Sequence, residues 1–347
     1  MDSNKLKVGI TQGDINSTSY EIMIKTFQES LASEMCIPVI YGSPKVAAYY
    51  RKALNITTFS FNTVASASEM QDHKSNIVNV LDDDVKVELG KSTQMAGESA
   101  LISIDKACAD IESGITNALI VNPINTKNTA EFNLTDQFDF VKKRTNTSNS
   151  ITVWVNDALK VCSLTGPTSL LDAAKKVTAS NILTTLRTLN QSLIADFGID
   201  KPKIAVLGLN PNLANATELT REEKNEIAPA IESANNENIM AMGPYDAETI
   251  FGTDLFTKFD AVLAMYYDQG MVPFRALSYD DGVSYMAGAN FICVAPMQDV
   301  DYENAGLDKA NPCAFQKALH LVCKIGRCRN MHAELTADVL KTHNISE

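Results

Sequence analysis

The run FDAVLAMYYDQGMVPF, Phe259 to Phe274, is largely apolar as far as Met265 and then turns polar through Tyr266, Tyr267, Asp268, Gln269 and Gly270. A phenol next to a carboxylate at the end of an apolar strand can hold or move a proton, so Tyr267 and Asp268 are the first catalytic candidates. Histidine, the usual residue for that work, is scarce: the chain has 4, His73, His320, His332 and His343, and none stands at the end of an apolar run. Acid–base chemistry therefore falls to Asp, Glu, Lys, Tyr or Cys, and a divalent metal lacks its commonest nitrogen ligand. His320, Cys323, Cys328 and His332 have metal-like spacing, but CAFQKALHLVCKIGRCRNMHAEL carries the apolar period of a helix. On one helix the outer two would stand ~18 Å apart, too far to share one tetrahedral ion. No G-x-G-x-x-G, Walker loop, H-E-x-x-H or G-x-S-x-G occurs.

The elements that would position such residues read as alternating strands and helices. Apolar runs ending in small or polar residues occur at Lys7 to Asp14, Cys36 to Pro44, Asn117 to Asn125, Leu159 to Pro167, Lys203 to Asn212, the opening stretch, and Ala289 to Pro296. Helical patterns span Ser19 to Leu31, Pro44 to Leu54, Gly97 to Ser113, Asp172 to Phe197 and Thr220 to Glu237, where Thr220 and Glu223 form a capping box. This order predicts an α/β fold with a mostly parallel sheet. In open sheets of that kind ligands bind beyond the carboxyl ends of the strands. That directs attention to Thr11, Gln12, Asp14, Asn122, Asn125, Thr165, Asn210, Asn212, Asp268 and Gln269, although the same Asn-Pro, Gly-Asp and Asp-Gln-Gly runs are ordinary turn chemistry. Thr145 to Ser150 and the polar stretch Asn128 to Asn133 read as loops.

Composition narrows the function classes. With 347 residues, 45% of them hydrophobic, the chain can bury a large core. The net charge of −12 opposes a phosphate backbone or an anionic membrane, so an anionic substrate needs a local cationic pocket. No apolar run approaches the roughly 18 residues of a membrane span and MDSNKLKVGITQGD has no signal-peptide core, so the expected location is cytoplasmic. The 7 scattered cysteines then read as free thiols.

KVGITQGDINSTSYE, IYGSP, IVNPIN, VLGLNPN, MGPYDAETIF, the opening stretch and AGLDKANPCAFQKAL, in this order and spacing, resemble the 4-hydroxythreonine-4-phosphate dehydrogenase family of vitamin B6 biosynthesis over nearly the whole chain. The resemblance implies a two-domain α/β/α subunit like the isocitrate and isopropylmalate dehydrogenases. The first domain would be 1–130 plus 305–347 and the second 131–304, with a cleft between. It also implies a homodimer, NAD as cofactor without a glycine fingerprint, a small phosphorylated substrate, and a divalent metal held by three histidines from both subunits.

Carried over residue by residue, the implied site is depleted. The three metal histidines fall at Pro167 in LTGPTSL, Asn212 in GLNPN and Tyr267 before Asp-Gln-Gly. Proline offers no donor atom and asparagine or neutral tyrosine a weak one, so the expectation is that no divalent metal binds tightly there. The substrate-binding His-Thr pair falls at Gln137 and Phe138, the phosphate-side lysine at Arg275, the asparagine at Ser284 and the arginine at Cys293. The glycines of the N-terminal turn are Ser17, Thr18 and Ser19, and the His-Gly-Thr-Ala loop is Gln298 to Asp301. One reading is a folded member that no longer performs the metal-dependent, NAD-linked oxidation, serving instead as a ligand sensor or as a dimer partner that modulates an active relative. The other is an active dehydrogenase with a rebuilt site, in which Asp268, Asp139 and Asp14 hold a hard cation or Tyr267 is the base.

Overall fold

A computed structural model of the chain describes residues 5–82, 84–213 and 220–337. The strands are β1 (Lys7–Thr11), β2 (Ile37–Gly42), β3 (Asn62–Val64), β4 (Asn76–Asn79), β5 (Ala118–Ile120), β6 (Ile151–Val155), β7 (Lys160–Ser163), β8 (Lys203–Leu207), β9 (Met240–Tyr245), β10 (Ala261–Ala264), β11 (Val283–Ala287) and β12 (Ile292–Pro296). Among the described residues they form one sheet in the order β3-β4-β2-β1-β5-β12-β11-β6-β7-β10-β8-β9. Pairing is parallel except at β12 with β11, β11 with β6 and β6 with β7. The expected mostly parallel α/β sheet is therefore present, with an antiparallel seam at its middle that the sequence reading did not include. β12 lies inside the stretch 131–304, yet it pairs with β5 of the N-terminal strands.

Helices cover both faces: α1 (Ser19–Gln28), α2 (Ser30–Met35), α3 (Pro44–Ala53), α4 (Gln94–Glu112), α5 (Gln137–Thr145), α6 (Leu170–Lys176), α7 (Ala179–Ala195), α8 (Ala228–Asn236), α9 (Ala247–Phe251), α10 (Tyr267–Leu277) and α11 (Cys313–Ala337). The single helix expected over Asp172 to Phe197 is two. The chain leaves α6 at Val177, and the Thr178 side chain accepts from the Asn181 N–H to begin α7 anew. Glu223 does meet the Thr220 hydroxyl, but one of its oxygens also accepts from the N–H groups of Leu209 and Asn210, so the carboxylate anchors the end of β8 as well as the helix start. α11 is continuous through His320, Cys323, Cys328 and His332, as its apolar period requires; His343 lies outside the described residues. Among the described residues no helix is long and apolar enough to cross a membrane.

The core lies between sheet and helices. Val8, Ile10, Ile120, Val206 and Leu263 are fully buried on their strands against Met23, Ile24, Leu186 and Phe315 from helices. One buried polar group fastens three elements to that core. Asp196, just after α7, accepts from Arg329 Nε at 2.6 Å and from Tyr285 Oη and Ser192 Oγ at 2.5 Å, joining α7, β11 and α11.

Candidate functional site

Most of the strand-end polar residues turn out to serve the scaffold. Thr11 Oγ1 accepts from Asn122 N, and Asn122 Nδ2 donates back to Thr11 O, locking β1 to β5. Gln12 Nε2 donates to Ser99 O, and its Oε1 accepts from Tyr20 Oη. Buried Asp14 accepts from Tyr302 Oη at 2.7 Å and from Asn16 N at 2.9 Å, and burial raises its carboxyl above the usual range. This pins the Gln298 to Asp301 loop to the turn after β1, where Asp301 N also donates to Ser17 Oγ.

The Asp-Gln-Gly segment, expected as a turn, is the first turn of α10, with Tyr266 at the N-cap. Gln269 explains part of the segment: its Oε1 accepts from Met265 N and its Nε2 donates to Gly208 O, both at 2.7 Å, stapling the ends of β10 and β8 together. Gly270 explains another part. A Cβ there would stand 2.9 Å from Val161 Cγ1 and 3.1 Å from both Ala264 Cβ and Trp154 Cζ3, so only glycine lets α10 lie this close to the sheet. Asp268 is exposed.

α10, the start of α5, β6 and the ends of β7 and β12 enclose a cavity of about 460 Å³. It gathers Gln137, Phe138, Pro167, Tyr267, Arg275 and Ser284 from positions spread over the chain. Asp268, Asn212 and Cys293 are not among its lining residues. Cys293 is fully buried on β12 beneath the apolar layer, and burial holds its thiol well above the ordinary range. Asn212 stands exposed in the loop after β8 with φ +67°. Three groups in the wall had not been singled out, Asp136, Lys142 and Trp154, while Asp299 belongs to the Gln298 to Asp301 loop. Trp154, the chain's single tryptophan, sits in ITVWV, whose alternation could have marked it as a half-buried strand residue.

Inside the cavity Tyr267 packs edge-on against Trp154, with ring centroids 5.3 Å apart at 86°. Burial pushes its phenol above the ordinary tyrosine value, against the opposing pull of the Arg275 charge. Arg275 spends one N–H on Met297 O at 2.7 Å. Asp136 caps α5, accepting from Phe138 N and Asp139 N, while Asp139 accepts from Thr135 N at 2.7 Å. Thr165 is nearly fully buried on the wall, and its hydroxyl has no hydrogen-bond partner among the described residues.

The implied divalent metal finds few donor atoms among these groups. Pro167 brings no donor atom, Tyr267 offers a phenol whose pKa burial raises, and Asn212 offers at most a weak amide oxygen, so this donor set does not fit a divalent transition metal. Among the described residues no group of three or more His, Cys, Asp or Glu side chains is placed to hold a metal ion, and this covers Asp14, Asp139 and Asp268. A second cavity shares Arg275, Met297, Gln298 and Asp299 with the first and continues past Asp280, Asp301 and Glu303. Arg275 is the one Lys or Arg among its lining residues. Its guanidinium suits a phosphate monoester.

A family model described as pyridoxal phosphate biosynthetic protein PdxA matches residues 34–322. A 4-hydroxythreonine-4-phosphate dehydrogenase from Bacteroides thetaiotaomicron is 37% identical over 332 residues, 95% of this chain and 91% of that protein. One of the same name from Aquifex aeolicus is 31% identical over 319 residues, covering 91% and 97%. In fold, the chain is similar to the crystal structure of 4-hydroxythreonine-4-phosphate dehydrogenase from Klebsiella pneumoniae, with TM-score 0.80 at 23% identity, covering 93% of this chain and 100% of that one.

Proposed function

The chain belongs to the PdxA family of 4-hydroxythreonine-4-phosphate dehydrogenases, and from that premise we propose that it retains the family's cleft as a binding site for a small phosphorylated ligand without the metal-dependent, NAD-linked oxidation. The observation that carries this reading is Tyr267. Where the resemblance calls for a metal-binding histidine, a neutral phenol packs against Trp154 and takes up space in the cavity. Without a Lewis acid the substrate hydroxyl keeps a pKa far above neutrality, and among the described residues no histidine lines the cavity to take its proton.

Retained binding is supported by Arg275, Lys142 and the buried, unpartnered hydroxyl of Thr165, all on the cavity wall. A buried hydroxyl without a partner costs stability unless a ligand satisfies it. Pairing with a second copy of the chain is supported by Leu170, Leu171 and Val272, which are 66%, 79% and 61% exposed.

The deciding experiment incubates the purified protein with NAD, 4-phosphohydroxy-L-threonine and zinc, manganese or magnesium, and follows NADH absorbance. The expected result is no metal-dependent turnover. Turnover comparable to that of the Bacteroides thetaiotaomicron relative, assayed in parallel, would refute the proposal.

A further inference from the structure

A separate cavity of about 400 Å³ lies on the other face of the sheet, between the β6–β7 hairpin and α11. Side chains alternate along a strand, so Trp154 and Ser284 line the cleft while their neighbours Val155 and Val283 line this second space. The hairpin turn is fixed by Asn156, whose Oδ1 accepts from Ala158 N at 3.0 Å and Leu159 N at 2.7 Å. That turn delivers Lys160 as the first residue of β7, with its ammonium 5.2 Å from the Phe197 ring centroid. α11 brings Lys317, His320 and Lys324, spaced along one face.

The charges here do not cancel. Lys317 is paired with Asp157 at 2.5 Å, which also ties the hairpin to the helix. Among the described residues no carboxylate oxygen lies within 4.0 Å of Lys160 or Lys324. Asp281 on the loop before β11 is the remaining acid of the wall. Lys160 is half-buried, and burial first, then the Lys324 charge, lowers its pKa, with Asp260 opposing. In a chain of net charge −12, two lysines that share a cavity with no carboxylate within 4.0 Å of either repel each other, and a bound anion would convert that repulsion to attraction.

We propose that Lys160, Lys324 and His320, with the amide of Gln316, form a second ligand site, which takes the phosphoryl group of a small organic phosphate while Phe197 and Leu321 hold its carbon body. Donors reach the space from both the hairpin and the helix, which suits the tetrahedral array of phosphoryl oxygens better than the two oxygens of a carboxylate. The site stands apart from the cleft and does not rest on the function proposed for it.

Phenyl phosphate, titrated into the full chain by calorimetry and ³¹P resonance, is the test. The R275A variant removes the cation of the cleft and so reports any binding there; the saturable component that remains in R275A belongs to the second site. K160A and K324Q should each weaken binding about tenfold, the size of one charge-assisted hydrogen bond. Lys324 is exposed, so K324Q keeps the test valid should K160A disturb the hairpin; far-ultraviolet circular dichroism reports the fold of each variant. Absence of saturable binding to the parent overturns the proposal, as does binding that is lost in R275A but unchanged in K324Q.

Discussion

Substituting Tyr267 separates packing from chemistry, because phenylalanine removes only the hydroxyl while alanine removes the ring as well. Among the described residues the hydroxyl makes no hydrogen bond, and the ring's defined partner is Trp154, edge-on at 5.3 Å. A half-buried tyrosine ring removes about 100 Å² of apolar surface from water, about 2.5 kcal/mol at about 25 cal/mol per Å². The edge-to-face pair adds about 1 kcal/mol, so Tyr267→Ala should cost about 3.5 kcal/mol and Tyr267→Phe about 0.5 kcal/mol or less. Urea unfolding followed by Trp154 fluorescence reads both, with the slope against denaturant unchanged. Because burial raises the phenol's pKa in the folded state, the phenolate is disfavoured by folding. Any loss of stability from this group therefore begins only as pH rises through the unfolded tyrosine value of about 10, and near neutrality the group is protonated. Equal costs for Tyr267→Phe and Tyr267→Ala would refute a packing role for the ring. Oxidation of substrate by the parent, with a basic limb near neutral pH that Tyr267→Phe abolished, would refute it equally.

Other outcomes follow from the same geometry. Asp196→Ala strands the Arg329 guanidinium and the Tyr285 hydroxyl, and should cost about 3 kcal/mol in denaturant unfolding. Gly270→Ala forces a methyl into Val161, Ala264 and Trp154, and should cost about 2 kcal/mol with a shift in Trp154 emission. Native Asp14 binds its proton more readily than the unfolded chain does, so its contribution falls as pH rises from the ordinary carboxylate range through its raised folded value. Asp14→Asn should remove that component, making the unfolding midpoint of the variant flatter with pH across this window than that of the parent. Restoring histidine at Pro167, Asn212 and Tyr267 together should make the dialysed protein retain zinc by elemental analysis; φ +67° at position 212 is a conformation histidine tolerates better than most residues. A triple variant that stays zinc-free would show that these positions do not form one metal centre.

Much of the scaffold was legible in the sequence because a buried strand and an amphipathic helix each write their environment into a local period. β1, β2, β5, β7, β8, β10 and β12 all fall inside apolar runs, and α11 follows the apolar period around His320 and Cys323. What was missed has a common cause. ITVWV and VSYMA interrupt their apolar runs with Thr152 and Ser284, and their antiparallel pairing joins residues such as Trp154 and Ser284, far apart in the chain. The Asp-Gln-Gly turn became a helix because Gln269 finds partners on two strands and Gly270 permits close packing, neither of which a local window contains.

The sequence by itself determined which atoms are available: no histidine at 167, 212 or 267, an arginine at 275, and a likeness to one family over nearly the whole chain. Only the tertiary structure decided how those atoms are used. It set Tyr267 against Trp154, left Asp268 outside, buried Cys293 under the apolar layer, spent Asp14 on Tyr302, and brought Lys160 to Lys324 on the opposite face. Donor chemistry is a property of each residue and can be read one position at a time. Convergence depends on contacts between distant segments, and it exists only once the sheet has closed.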